Sequence, residues 1–364
     1  MSTGQKRRLN LLRPPYEAPK TEPRLPQLVL TLADESEDNK VLFKRELTQS
    51  AGAMLMTLLN IPLPQKAVEA VKSPAPEIPD EIVGLSVLPG HVSFVHLRRD
   101  EFSPCGWRRL DHGFALHRPD QSLASVLSDL SLPEDVPYVI NAGSPRYCIV
   151  KKISLPDWTE EEFYQSLAWE IEQFIPYDVR RVYFDGMSLP GDLHQGDRDY
   201  LITATKKDEL DPILQAMAGK DLKVMIATPT EMALLAAFEH CYPQSVSGNT
   251  ALVDYSPDGT QILVLRDGQI AFSRHISSIG GVPLERMVVE VKRSLDFFNA
   301  TNMDTDIQRV LVSGYDYRDQ ELGLLSEKLQ LPVENFVIPQ PGPVGTLNSA
   351  HVMAYGLALI GLGF

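Results

Sequence analysis

Beyond residue 80 the chain alternates strand-like apolar runs with stretches of helical periodicity. Ile82–Leu88 and Val92–Leu97 flank Pro89-Gly90. A second set, Thr250–Tyr255 and Gln261–Leu265, continues past Asp267-Gly268 into Ile270–Arg274. Apolar runs broken by Pro-Gly or Asp-Gly predict hairpins, and these two look like the starts of two related halves. Helical spacing follows each. Thr159-x-x-Glu162 reads as a capping box opening a helix with Phe163, Leu167, Ile171 and Phe174 on one face, stopped by Pro176. Thr228-Pro229-Thr230-Glu231 opens another, with Pro229 expected at the first helical position and Ala233, Ala236 and Ala237 allowing close approach to a sheet. A third follows Gly280-Gly281, with Pro283 at its start and a stripe of Leu284, Met287, Val288, Val291, Leu295 and Phe298. All three faces are read as core, and the alternation predicts an α/β architecture.

The first 80 residues differ. Five prolines in residues 13–26 and five more between Pro62 and Pro79 predict stiff, extended segments bracketing a small unit. Within it Leu28–Leu32 and Val41–Phe43 flank the acidic turn Asp34–Asn39 like a hairpin, and Leu47–Leu59 reads as an apolar helix.

Charge narrows the partners. The 364 residues carry a net −14, of which residues 1–24 hold +4, leaving −18 for the body. An acidic body excludes nucleic acid as the main ligand. The basic leader is a solvated tail, a reader of anionic lipid, or a segment that docks on protein. Cys105, Cys148 and Cys241 form no CxxC pair, and the eight histidines fall in no HExxH or closely spaced Cys/His set. Neither a disulfide framework nor a metal is expected. Apolar stretches around Ala51–Leu63 and Val352–Leu362 are too short to span a bilayer, so a cytoplasmic location is expected, with any membrane contact indirect. There is no GxSxG elbow and no activated His or Cys, so no catalytic residue is assigned.

Leu155-Pro156-x-Trp158-Thr159-Glu160-Glu161-Glu162-Phe163, then Trp169-Glu170-Ile171-Glu172-Gln173-Phe174-Ile175-Pro176-Tyr177 with Asp185 downstream, resembles the inserted subdomain of PilM-type proteins. The likeness continues through Leu265–Arg274, Gly280-Gly281, Glu290–Phe298 and Ala354–Ala358. It implies an actin-like fold of two lobes, each an RNase H-like core, with an inserted α/β subdomain and an N-terminal extension. The corresponding boundaries are 1–26 for the basic tail, 27–80 for the small unit and linker, 81–150 for the core of lobe 1, 151–222 for the insertion, 223–246 for the return to lobe 1, and 247–364 for lobe 2. In that family ATP lies between the lobes. The role is that of a scaffold, binding the N-terminal peptide of the membrane protein PilN and linking the inner-membrane complex to pilus motors.

The resemblance locates a nucleotide site and shows its departures. Where PilM-like sequences read roughly GIDIGSSSVK, this chain has Gly84-Leu85-Ser86-Val87-Leu88-Pro89-Gly90, with Ser86 for the acid and Leu88 for a glycine. Pro89 has no N–H to donate. The second turn keeps Asp254, but Ser256 and Pro257 replace Gly and a small residue before Asp258-Gly259-Thr260. The adenine turn, expected as Ser-Gly-Gly-Gly, reads Ser313-Gly314-Tyr315-Asp316-Tyr317, and Tyr315 is expected to fill the pocket. Glu290 and Ser294 persist on the neighbouring helix. Losing one preorganised donor costs about 10²–10³ in rate, so the expectation is a pseudo-ATPase with ATP and magnesium disfavoured.

The leader adds a partner motif. Arg7-Arg8-Leu9-Asn10-Leu11-Leu12-Arg13-Pro14-Pro15 is similar to the Ile/Leu-Asn-Leu-Leu-Pro stretch of PilN-type partners. Leu9, Asn10, Leu11 and Leu12 are therefore read as a ligand docking in cis or trans, beside a PilN-like peptide, motor components and a homo-oligomer as the other partner readings. Two alternative functions stay open: an active actin-like ATPase acting as an assembly switch, and a GspL-like platform of type II secretion.

Overall fold

The computed structural model describes residues 78–176, 178–189, 196–245, 248–256, 259–277, 284–301, 306–315, 317–339 and 347–364. The tail motif, the 27–80 unit up to residue 77, Tyr177, Pro257-Asp258, Gly280-Gly281, Pro283 and Asp316 lie outside them.

Two five-stranded sheets repeat one topology. In the first, β1 (Glu81–Leu88), β2 (Gly90–Arg99) and β3 (Trp107–His117) form an antiparallel meander. β4 (Tyr138–Asn141) and β8 (Val224–Thr228) then add in parallel, giving the order β3-β2-β1-β4-β8. In the second, β9 (Asn249–Ser256), β10 (Gly259–Arg266) and β11 (Gln269–Ser277) form the meander. β12 (Ile307–Ser313) and β13 (Val333–Asn335) add in parallel, giving β11-β10-β9-β12-β13. The hairpins predicted from the sequence therefore begin two halves with matched strand order.

Between β4 and β8 the chain makes a separate layer. β5 (Cys148–Pro156), β7 (Asp197–Lys206) and β6 (Val182–Ser188) pair antiparallel, with α2 (Glu160–Glu172) packed on them. The Thr159 capping box forms as the sequence predicts: the Glu162 amide donates to Thr159 Oγ1 at 3.3 Å and the Thr159 amide donates to Glu162 Oε2 at 2.8 Å. Phe163, Leu167 and Ile171 are buried, and Phe163 stacks on Tyr200 at 4.4 Å. Helix α1 (Leu123–Asp129) and α3 (Lys207–Ala218) cover the other face of the first sheet.

The last helix, α7 (Val352–Leu362), follows lobe 2 in chain order, yet it packs on the first sheet. Every one of its residues is buried. A side chain at Gly84 would overlap the Ala354 carbonyl and the Ala358 amide, and one at Gly361 would strike Ile82. This apolar helix is thus core, sandwiched between β1 and α4 (Thr230–Cys241). Two details differ from the sequence reading. Pro229 stands at the cap, one residue before α4. The small face of α4 meets α7 rather than a sheet: a side chain at Gly356 would overlap the Ala233 carbonyl. One continuous core joins α4 and α7 to Leu252, Leu263 and Leu311 of the second sheet.

Candidate functional site

The candidate site is the set of strand ends and turns on either side of the start of α4, where Glu231 of the first lobe meets Gln261 and Ser273 of the second. On the first side, β1 and β2 stay in register down to Leu88 opposite His91, leaving only Pro89 and Gly90 in the turn. Gly90 has φ of +92°. Proline followed by a positive-φ glycine closes a two-residue turn without help from a ligand. Ser86 is fully buried opposite Ser93, and neither hydroxyl has a hydrogen-bond partner among the described residues. Gly84 is accounted for by its contact with α7.

The group that organises this end is Asn141, which the sequence reading passed over. Its Oδ1 accepts from the Val87 amide at 2.7 Å, and its Nδ2 donates to the carbonyls of Val87 and Gly143, both at 2.9 Å. The signal was a polar residue closing the apolar run Tyr138–Asn141.

On the second side, Ser256 pairs with Gly259 and donates from Oγ to its carbonyl at 3.2 Å. Gly259 sits so close to β11 that a side chain would overlap the Ile276 carbonyl. Thr260 is buried between Tyr255 and Ile276 in the ladder. Asp254 is buried and accepts from Ser313 Oγ at 2.6 Å; burial pushes its pKa up to about 6, against the opposing pull of that hydrogen bond. Gly314 has φ of +82°, and a side chain there would overlap the Tyr255 carbonyl. Its amide donates to the Ser349 carbonyl at 3.0 Å, which ties the adenine-type turn to the segment leading into α7.

The tyrosines exchange their expected roles. Tyr315 is 47% exposed, whereas Tyr317 is buried and meets Tyr315 edge-on at 5.2 Å. Burial raises the Tyr317 pKa, and the neighbouring charge of Asp254 raises it further. The ring placed inside is therefore that of Tyr317, two residues after the one expected. Glu290 and Ser294, on α5 (Leu284–Thr301), are taken up within lobe 2. Ser294 Oγ accepts from Arg274 Nη1 at 3.0 Å and donates to the Glu290 carbonyl at 2.8 Å, while Glu290 pairs with Arg293 at 2.8 Å.

The side chain that joins the two lobes is Glu231. It projects from the first turn of α4, buried, with its pKa raised by desolvation. Oε1 accepts from Gln261 Nε2 at 3.2 Å and from Ser273 Oγ at 2.9 Å, while Oε2 accepts from Thr230 Oγ1 at 3.2 Å. Gln261 also donates to Ser273 Oγ at 2.9 Å. One carboxyl from the first lobe is thus gripped by two adjacent strands of the second. The sequence showed Glu231 only as a helix-start acid; a long-range pairing leaves no local signal.

Residues 132–289 match the model of the family described as type IV pilus assembly protein PilM. The fold matches the solved PilM-PilN type IV pilus biogenesis complex with a TM-score of 0.68 and 16% identity, over 79% of this chain and 99% of that one. The chain has an actin-like fold, and its residues 132–289 are similar to PilM. The cytoplasmic domain of EpsL from the type II secretion system of Vibrio cholerae is a weaker match, with a TM-score of 0.46 and 12% identity over 77% and 95% of the two chains. A Bacteroides thetaiotaomicron protein with an actin-like ATPase fold gives 0.40 and 11% over 70% and 90%. No curated protein sequence matches. The chain gathers no group of three His, Cys, Asp or Glu able to hold a metal among its described residues, and none of its described helices is long and apolar enough to cross a membrane.

Proposed function

We propose that this PilM-type chain is a platform of a type IV pilus-like or secretion machine at the cytoplasmic face of the inner membrane, working through bound peptides rather than ATP hydrolysis. The observation that carries the reading is the bridge from Glu231 to Gln261 and Ser273, which spends the polar groups of the cleft on holding the lobes together. The residues around it fit a magnesium–nucleotide complex poorly. The first turn has two residues, one of them a proline; Ser86 supplies no carboxylate; Asp254 is already bonded to Ser313; and Tyr317 occupies the side next to Asp254. An anion there would face two buried carboxyls and few free amides.

The partner is a PilN-like peptide from an inner-membrane protein, or the chain's own Leu9, Asn10, Leu11 and Leu12 docking in cis or in trans, with motor components engaging the other side. A tethered motif acts at an effective concentration of roughly millimolar when its linker spans the site. Titration of the purified full chain with ATP and magnesium should release no binding heat, and micromolar binding would sink the pseudo-ATPase reading in favour of a nucleotide-regulated switch. The same protein lacking residues 2–20 should take up a synthetic Leu-Asn-Leu-Leu-Pro peptide at least tenfold more tightly than the full chain does; equal affinity rules out the tethered motif.

A further inference from the structure

β3 is the outer strand of the first sheet among the described residues, and its two halves are protected very differently. The half from Trp107 to Asp111 carries Arg108, Arg109 and Asp111, and its pairing with β2 shifts at His96/Leu97. Charges and a bulge are the usual means by which an edge strand refuses another chain. The half from Gly113 to His117 has neither device, and only the His112 amide at its start is taken, donating to Asp111 Oδ1 at 2.7 Å. Phe114 and Leu116 alternate onto one side, 43% and 62% exposed, with the Phe114 ring stacked on His91 at 5.4 Å. Gly113 and Ala115 turn the other way, towards Phe94 and the core of the first lobe. The outer strand of the other sheet, β11, instead turns Gln269, Arg274 and Ser277 outward.

We propose that residues Leu28–Leu32 of this same chain add to β3 as a sixth strand. The interaction goes beyond the peptide role proposed above, since it involves a different segment and a different surface. Three arguments select this occupant. Its pattern matches: in an extended strand Leu28, Leu30 and Leu32 share one side and Val29 and Thr31 the other, which sets leucines beside Phe114 and Leu116 and smaller residues beside Gly113 and Ala115. Its charge matches: run antiparallel with Leu28 beside Leu116 and Leu32 beside His112, the segment carries Asp34, Glu35, Glu37 and Asp38 to the end of β3 where Arg108 is exposed and forms no ion pair among the described residues. Its tether matches: the described chain enters beside this sheet, the Asp80 carbonyl accepting from the Arg99 amide, and Arg99 pairs with Trp107 at the start of β3. The 45 residues from 33 to 77 have a contour length of roughly 150 Å, far more than the two strand spacings, about 10 Å, that separate this edge from β1. Main-chain bonds along the edge supply affinity, and the alternating side chains supply register.

Amide hydrogen exchange on the full chain tests the assignment. In the unaltered protein the peptide covering residues 112–117 is expected to exchange slowly. In the full-length triple variant Leu28→Asp, Leu30→Asp, Leu32→Asp the same peptide should exchange on the order of tenfold faster, while peptides from β1 and β4 keep their rates, which separates loss of the added strand from loss of the fold. Equal rates for residues 112–117 in the two proteins overturn the proposal. Protection that survives the triple substitution and grows with protein concentration also overturns it, and assigns the edge to a second copy of the chain.

Discussion

The two meanders share one strand order, yet they treat the cleft in opposite ways. In lobe 1 the end of β1 has become apolar and closed: a two-residue Pro-Gly turn, a buried Ser86 with no partner, and Asn141 stitching β1 to β4 from the side. In lobe 2 the corresponding end of β9 keeps its acid, but the acid is spent internally on Ser313. The difference teaches that topology is held by the ladders and the layers packed on them, whereas residues at the strand ends differ between two sheets of the same order. Glycines follow the same division. Gly84, Gly259 and Gly314 stand at positions of close backbone approach to α7, β11 and β9, so each is explained by packing within the protein.

The sharpest way to break the comparison is to test whether those glycines serve the fold or a phosphate. Gly84→Ala forces a methyl group into the backbone of α7, with no flexible side chain able to yield. It should cost about 3 kcal/mol or more in denaturant unfolding, at the upper end of overpacking effects. A variant of normal stability would mean that Gly84 is kept for something other than helix packing.

Next in size is Asp254. Its native pKa, about 6, lies above the unfolded value of 3.8, so the native state binds the proton more tightly. Stability should therefore be greater below pH 4 than a fixed charge would allow, fall as the pH rises from 4 to 6, and stay reduced above it. Asp254→Asn keeps an acceptor for Ser313 and removes the charge. It should gain about 2–3 kcal/mol at pH 7 and flatten that segment of the stability profile. A pH profile unchanged by the substitution would show that the carboxyl titrates normally.

These tests mark what the sequence could carry. Strands, hairpins and the Thr159 cap were legible because they are local: alternating apolar runs, Asp-Gly and Pro-Gly turns, and a capping box each act within a few residues. Quoted motifs also carried the family resemblance. The site was legible only as a set of departures at Ser86, Leu88, Pro89 and Tyr315. Glu231 was hidden because its partners lie 30 and 42 residues away on another sheet, and it looked like any helix-start acid. Tyr317 was missed because two tyrosines stand two residues apart in one turn, and only packing decides which of them turns inward. The placement of α7 against lobe 1 defeats chain order for the same reason: a helix that is apolar all round declares that it is buried, without saying against what.

The lobe-to-lobe bridge gives the third test. Glu231→Ala leaves Gln261 Nε2 and Ser273 Oγ with only each other among the described residues, at a cost of about 2 kcal/mol after the relief of burying a carboxyl. Glu231→Gln retains an acceptor oxygen of the same reach and should stay within about 1 kcal/mol of the parent. Equal losses for both would point to the charge itself, rather than the acceptor, as the element that holds the lobes.

The smallest effects offer the finest comparison, because the same substitution made on each side of the cleft should have opposite signs. Ser86 and Ser313 are both buried serines at the cleft ends of central strands. Ser86 Oγ is buried without a partner, so Ser86→Ala removes an uncompensated polar group and should raise stability by about 1 kcal/mol, or roughly 2–4 °C in Tm. Ser313 Oγ donates to Asp254 at 2.6 Å, so Ser313→Ala strips a buried carboxyl of its hydrogen bond and should lower stability by about 1–2 kcal/mol. The Asp254 pKa should rise further at the same time, since the bond that favours its ionised form is gone. Measured side by side at pH 7, two losses would mean that Ser86 has a role in the native protein, and that the lobe 1 end of the cleft is less closed than its Pro-Gly turn implies.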